Sequence, residues 1–253
     1  MESITHAFYI NLAKRVDRRN HVEQELRILG IKADRFEAVQ MKNGAIGCTL
    51  SHLKCLQHAK EQGWDHVMIV EDDIEFTNPI CFKSQLHNFL SARTKDDWDV
   101  ILLAGNNMPP YTEIDDCCVK VTKCQTTTGY IVNGKYLDTL INNVKSGLTC
   151  LIREPTQPIL YAIDKYWFSL QKVDRWFLII PLTVTQRADY SDIEARNTDY
   201  KDVMLDLDKK KFFMKQLLKI KEMRESLKFM PIEKTIGQYQ NLDKMEKEIR
   251  AYL

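Results

Sequence analysis

Apolar residues fall along the chain in short β-like runs, separated by stretches in which they recur at helical spacing. The first run, "HAFYINL" with its β-rich part from Ala7 to Leu12, is followed by the polar "AKRVDRRN". Val22, Leu26 and Leu29 then mark one face of a helix that begins near Asp17, and Gly30 stands where a C-cap glycine belongs. "DRFEAV" predicts a second strand. "GAIGCTLSHLKCLQHAKEQG" predicts a helix with Leu50, Leu53, Leu56 and Ala59 on one face, closed by Gly63, and the strand "HVMIV" follows at once. Farther along, "DWDVILLAG", "TTTGYIVN" and "DRWFLIIP" read as strands and "GKYLDTLINNV" as a helix. Strands alternating with helices predict an α/β fold, a mostly parallel sheet flanked by helices on both faces.

From Met204 the chain becomes charged, helical and poor in glycine. The expected organisation is one α/β domain over residues 1–203 and a charged helical C-terminal extension over 204–253. Phe213, Leu217, Ile220, Met223 and Leu227 form a stripe, and between Lys209 and Lys228 eight basic residues face two acids. Three lysines at a helix start oppose the macrodipole. A tail helix packed on the core with a wet basic face accounts for this pattern; a peripheral contact with an anionic membrane and a homodimer contact are the sharper alternatives.

At 253 residues and 44% hydrophobic the chain can bury a substantial core, and its net charge of +1 gives no global reason to expect nucleic acid as a partner. Seven cysteines with no CxxC pair, and no Asn-X-Ser/Thr sequon, speak against a disulfide-stapled secreted fold. The adjacent Cys117 and Cys118 are a weak metal or redox candidate beside the plainer reading of thiols in a reducing compartment. No stretch approaches the length of a membrane span, and the first residues lack the apolar core of a signal peptide, so a soluble, cytoplasmic protein is expected.

Candidate chemistry centres on "MIVEDDIEF", Met68 to Phe76, where an apolar run meets three consecutive carboxylates. Ligands of parallel α/β sheets sit beyond the carboxyl ends of the strands. Asp96, Asp97 and Asp99 lie at the start of their strand, whereas Glu71, Asp72 and Asp73 lie at the exit of "HVMIV". Alternation along an extended segment would put Glu71 and Asp73 on one side and Asp72 on the other. Two carboxylates facing together repel unless a cation lies between them, and oxygen ligands favour Mg²⁺ or Mn²⁺. Such an ion would keep open positions for a diphosphate, as in a nucleotide-dependent transferase. A phosphorylation receiver also places acids after a strand, but Ala104 stands where its acceptor aspartate belongs. An aspartyl-nucleophile phosphatase is disfavoured because "DDIEFT" lacks the Asp-x-Asp-x-Thr/Val pattern.

The ordered blocks "FYINLAKRVDRR", "RFEAV", "GAIGCTLSHLKCL" and "IVEDDIEF", continued by "TTGYIVNGKYLDTLI", "AIDKYW" and "PLTVTQRADYSDIE", resemble glycosyltransferase family 25 over about residues 6–194. The resemblance implies a GT-A-like (Rossmann-like) fold and metal-dependent, inverting transfer of a hexose, galactose or glucose, from a UDP-sugar. The acceptor would be a hydroxyl of a glycan, a lipid-linked saccharide or a protein. It implies that "EDD" is a DXD-type motif with Asp73 as metal ligand, Glu71 facing the metal or ribose and Asp72 near the donor. Mn²⁺ or Mg²⁺ would be the cofactor. Asn11, Arg15 and Arg18 would lie at the nucleotide, although exposed structural arginines fit the residues equally.

Gly47 is expected to open a helix whose amides face the diphosphate, against the plainer reading of a turn glycine. Ser51 and His52 lie one turn further, and His52 is either a site residue or a structural histidine. Gln186, Ser191 and Asp192 would belong to a loop near the donor. Many GT-A enzymes complete the metal site with a late histidine, but the last one here is His87, so Asp192, Gln186 or water would supply the third ligand. Asp164 would be the base that deprotonates the acceptor, beside Tyr161, Tyr166 and Trp167 as sugar-stacking rings; it reads equally as a helix N-cap. A degenerate sugar-binding or scaffolding protein is the non-enzymatic alternative, and intact "EDD" and "SDIE" argue against it. If the basic helix meets a membrane, the protein sediments weakly with anionic vesicles at low salt; failure to sediment removes that reading.

Overall fold

A computed structural model describes residues 4–191, 196–228 and 232–251. In chain order the elements of its first half are β1 (Ala7–Asn11), α1 (Val16–Leu29), β2 (Asp34–Glu37), α2 (Gly44–Glu61), β3 (His66–Glu71), β4 (Ile74–Phe76), α3 (Pro79–Ala92), β5 (Val100–Leu102), β6 (Asn106–Asn107), β7 (Tyr111–Asp115) and β8 (Cys118–Val121). The second half carries β9 (Cys124–Gln125), β10 (Gly129–Asn133), α4 (Leu137–Arg153), α5 (Pro158–Tyr161), α6 (Ile163–Tyr166), α7 (Phe168–Gln171), β11 (Trp176–Ile179), β12 (Val184–Gln186), β13 (Asp189–Ser191), β14 (Arg196–Thr198), α8 (Lys201–Met204), α9 (Lys210–Leu227) and α10 (Ile232–Arg250).

Eight strands form one mixed sheet in the order β2-β1-β3-β10-β5-β11-β8-β7. β1, β2 and β3 pair in parallel, as do β5 and β11, while β10 runs against both of its neighbours and β8 against both of its own. Six strands therefore share one direction and two are reversed. Period-two alternation sorts the strand residues onto two cores. Phe8, Ile10, Val67, Ile69, Tyr130 and Leu178 meet Leu53, Leu56 and Ala59 of α2 and the inner face of α4. Ala7, Tyr9, Met68, Val70, Ile131 and Phe177 meet α1 and α3 on the other side, including Val22, Leu26, Leu29, Phe82 and Phe89. The α/β layering expected from the pattern is present, with Gly30 in the left-handed region at φ 71 as the C-cap of α1.

Helix α2 begins at Gly44 rather than at Gly47, because the Asn43 side chain caps it by accepting from the Ile46 amide at 3.3 Å. Gly47 lies inside the first turn, and its amide already donates to the Asn43 carbonyl at 3.1 Å. That amide is not free to face a diphosphate. What requires glycine is backbone proximity: a Cβ would stand 2.5 Å from the Val39 carbonyl oxygen. Ser51 completes the same contact, donating to the Gly47 carbonyl and accepting from the Val39 amide, each at 2.8 Å.

The C-terminal segment is rooted in the α/β body. Met204 is buried in the second core. The Lys209 side chain, only 1% exposed, donates to the carbonyls of Val203 and Asp206, and the Tyr111 hydroxyl donates to Asp208. α9 and α10 then pair, with Arg224 bridging Asp243 and Glu246 at 2.6 Å. Among the described residues no helix is long and apolar enough to cross a membrane. Gly47→Ala is expected to lower unfolding stability by about 1–3 kcal/mol through overpacking, read by urea denaturation; unchanged stability would refute the close-approach role.

Candidate active site

The exit end of β3 gathers most of the side chains singled out in the sequence. Glu71 closes the strand. Its Oε1 accepts from Thr127 Oγ1 at 2.7 Å, lies 3.2 Å from His52 Nε2 and receives the Cys48 thiol at 3.6 Å. Its Oε2 accepts from Gln186 Nε2 at 3.3 Å. His52 Nδ1 is 2.9 Å from the Tyr130 hydroxyl. With the proton on Nε2, the ring donates to Glu71 and accepts the Tyr130 proton at Nδ1. Burial disfavours the Glu71 charge, but the hydrogen bond and charge interaction with His52, followed by the Thr127 and Cys48 hydrogen bonds, outweigh it and hold the carboxyl below its ordinary range.

Asp72 and Asp73 do not alternate about the strand as expected. β3 ends at Glu71 and the next two residues form a turn before β4, so the period-two rule no longer applies. Both aspartates reach the same nitrogen: Arg18 Nη1 donates to Asp72 Oδ1 and to Asp73 Oδ2, each at 3.1 Å. Asp72 also accepts from Asn11 Nδ2 at 2.7 Å. Burial raises the Asp72 pKa against the pull of Asn11 and Arg18. Burial, then the neighbouring Glu71 charge, raises Asp73 from 3.8 to about 7. Asp73 Oδ1 is buried and has no hydrogen-bond partner.

The arginines span the site. Arg18 also holds Asp189 through Nε at 3.1 Å and the Tyr190 carbonyl through Nη2 at 3.0 Å, while Arg15 donates to Asp189 at 2.6 Å and to Asp17. Asn11 is 1% exposed; it accepts from Arg35 at 3.1 Å and donates to the Arg15 carbonyl at 3.0 Å. Ser191 ends β13 and pairs with Arg196, and Asp192 lies outside the described residues.

Asp164 is not a helix N-cap. Ala162 holds that position, and Asp164 lies within α6, half-buried, accepting from the Thr126 amide at 3.1 Å. Burial raises its pKa against Lys165 and the Thr126 amide, with the Glu71 charge adding to the rise. Trp167 cannot stack on a sugar, being fully buried with its indole N–H on the Cys124 carbonyl at 3.0 Å.

The run Thr126-Thr127-Thr128 joins the two carboxylates and was missed in the sequence. Thr126 binds Asp164, Thr127 binds Glu71 by its hydroxyl, and the Thr128 carbonyl accepts the Glu71 amide at 2.9 Å. Thr126 adopts φ 82, a conformation that β-branched residues avoid. Three consecutive threonines before a strand glycine are the only signal the sequence offers. The histidine also enters differently: Cys48, His52 and Glu71 bring ligand atoms within 4.8 Å of one another, so an early histidine reaches the acidic edge that no late one supplies.

Residues 40–150 match the family described as Glycosyltransferase family 25 (LPS biosynthesis protein). Over this segment the chain is similar to glycosyltransferase family 25. The family segment contains Gly47, Ser51, His52, the acidic triplet and the threonine run. The chain is 26% identical over 197 residues to a glycosyltransferase 25 family member of Anopheles gambiae, covering 65% of this chain and 31% of that protein. It is 28% identical over 131 residues to procollagen galactosyltransferase 1 of Danio rerio, covering 40% of this chain and 21% of that protein. The matched region thus spans a third or less of either relative. A solved glycosyltransferase involved in glycosylation of the PBCV-1 major capsid aligns with 68% of this chain and 80% of its own, at 13% identity and a TM-score of 0.42.

Folding favours protonated Asp73, so its contribution to stability is fully present below its unfolded value of 3.8 and is lost as pH rises through about 7. Asp73→Asn is therefore expected to match the parent below that window and to be more stable above it, with no divalent cation added. Chemical denaturation across pH checks this, and a parallel pH dependence in both proteins would contradict it.

Proposed function

We propose that this chain is a GT-A-like glycosyltransferase that moves galactose or glucose, with inversion, from a UDP-sugar to a hydroxyl of a glycan, lipid-linked or protein acceptor. The observation that carries the reading is Asp73 Oδ1, a buried carboxylate oxygen without a partner, beside Glu71 at the exit of a strand. Acidic oxygens in that setting fit a hard divalent cation, Mn²⁺ or Mg²⁺, with Asp73 and Glu71 as the residues that would hold it. Asp192 is a further candidate ligand outside the described residues. When bound, the cation would neutralise the charge of the departing diphosphate.

The chain's own groups supply the rest. Arg15 and Arg18, which now hold Asp189 and the Tyr190 carbonyl, present guanidinium forks where a diphosphate would lie. Gln186 and the Thr127 hydroxyl keep the Glu71 carboxylate oriented, and His52 preserves its charge. Asp164 takes the acceptor proton. Its burial strengthens its basicity relative to an ordinary carboxylate, and the Thr126 amide fixes one of its oxygens. The galactosyltransferase name of the zebrafish relative supports galactose as the first donor to try.

A panel of nucleotide sugars, with and without Mn²⁺, should reveal a UDP-sugar that raises the melting temperature and releases UDP. Mn²⁺ should raise the melting temperature of the parent but not of Asp73→Asn. Asp164→Asn should fold and bind donor yet lose transfer to acceptor. If no UDP-sugar stabilises the protein or is hydrolysed, the enzyme reading fails.

A further inference from the structure

A second cluster of metal-ligating side chains lies at the other side of the sheet, where β7 turns into β8. Asp115 Oδ1 accepts the amides of Cys117 and Cys118 at 2.9 and 3.0 Å, and the Cys117 Sγ stands 3.0 Å from the same oxygen. Neighbouring residues of a strand normally point to opposite faces. Here Cys117 belongs to the turn and Cys118 opens β8, so both sulfurs and the carboxylate fall within 4.8 Å of one another. Arg93 is set over this group. Its guanidinium hydrogen-bonds Asp115, lies 3.3 Å from Cys118 Sγ and 3.9 Å from Cys117 Sγ, and is held by the Phe89 ring 4.3 Å beneath it.

We propose that Asp115, Cys117 and Cys118 bind a thiophilic divalent cation of the Zn²⁺ or Cd²⁺ class, with Arg93 as the outer partner that orients the ligands. Two sulfurs select a soft ion over Mg²⁺ or Mn²⁺. Ligand bonds of roughly 2.0–2.3 Å at tetrahedral angles separate donor atoms by about 3.3–3.8 Å, so the grouping can close on an ion once Arg93 Nη2, which now contacts both Asp115 and Cys118 Sγ, withdraws to the outer position. Binding releases both thiol protons to solvent. Two thiolates, one carboxylate, the dication and the guanidinium then sum to zero charge, which suits a site whose two sulfurs are buried. The Asp115 side chain, 38% exposed, leaves a path for the ion and a fourth position for water. Neither the acidic edge nor the transferase reading is involved.

The reduced full chain should be titrated with Co²⁺ and Cd²⁺ while sulfur-to-metal charge-transfer absorption is followed. One sulfur-bound ion per chain is expected from the amplitude of the charge-transfer band, with a tetrahedral cobalt spectrum. The band should vanish in the double variant Cys117→Ser/Cys118→Ser and persist in Cys48→Ser. Losing even an outer partner weakens metal sites by roughly 10–100-fold, so Asp115→Asn should weaken Cd²⁺ binding by about tenfold or more. A folded parent with no charge-transfer band overturns the proposal, as does a band that survives the double variant. If that variant does not fold, unchanged Cd²⁺ affinity in folded Asp115→Asn overturns it equally, because asparagine keeps the oxygen that accepts the two amides.

Discussion

One guanidinium holds the acidic edge together. Asp72 and Asp73 are consecutive, Asp72 buried and Asp73 partly so, and both meet Arg18 Nη1. Like charges in a low-dielectric setting cannot stand together uncompensated. Arg18 supplies the compensation from α1, and by reaching Asp189 as well it fixes three separate segments relative to each other: the first helix, the turn after β3 and the start of β13. The compensation is incomplete, since one oxygen of Asp73 is left without a partner. Structure and candidate chemistry thus have a common origin in a charge imbalance that folding tolerates and a ligand can relieve.

A second acidic centre is built by different means. Glu71 stays ionised because a histidine, a threonine and a thiol converge on it, whereas Asp164 is pushed toward protonation by burial. The threonine run sets the relation of the two, and the strained backbone at Thr126 is the conformation that lets adjacent residues serve opposite partners. Environments that drive neighbouring carboxylates apart in proton affinity are what divided acid–base roles require.

The helical faces, the strand order of appearance and the position of Glu71 at a strand exit were legible in the sequence, because each follows from periodicity alone. Direction was not: "TTTGYIVN" has the composition of any buried strand, and nothing in it tells that β10 runs backwards between β3 and β5. Nor was the β7–β8 hairpin, whose polar "YTEIDDCCVKV" lacks alternation strong enough to announce an edge. Within the site, alternation failed at the residue where the strand stopped. Gly47 and Asp164 were noticed by residue type, but whether an amide is free or a carboxylate caps its own helix depends on where the helix begins, a boundary that local pattern blurs. His52 met Glu71 only because α2 crosses the sheet above β3.

The reversal of β10 has an architectural corollary. Chain leaving β5 and chain arriving at β10 meet at one end of that pair, where the Leu103 amide donates to the Gly129 carbonyl, and the stretch between them adds β8 and β7 to the sheet beyond β11 before it returns. Its two ends come together while its middle strands form the far edge of the same sheet, so this stretch is tied into the core at both places through Val119, Val121 and Cys124. The threonine run that faces Glu71 and the hairpin at the far edge of the sheet are thus parts of one continuous stretch of chain.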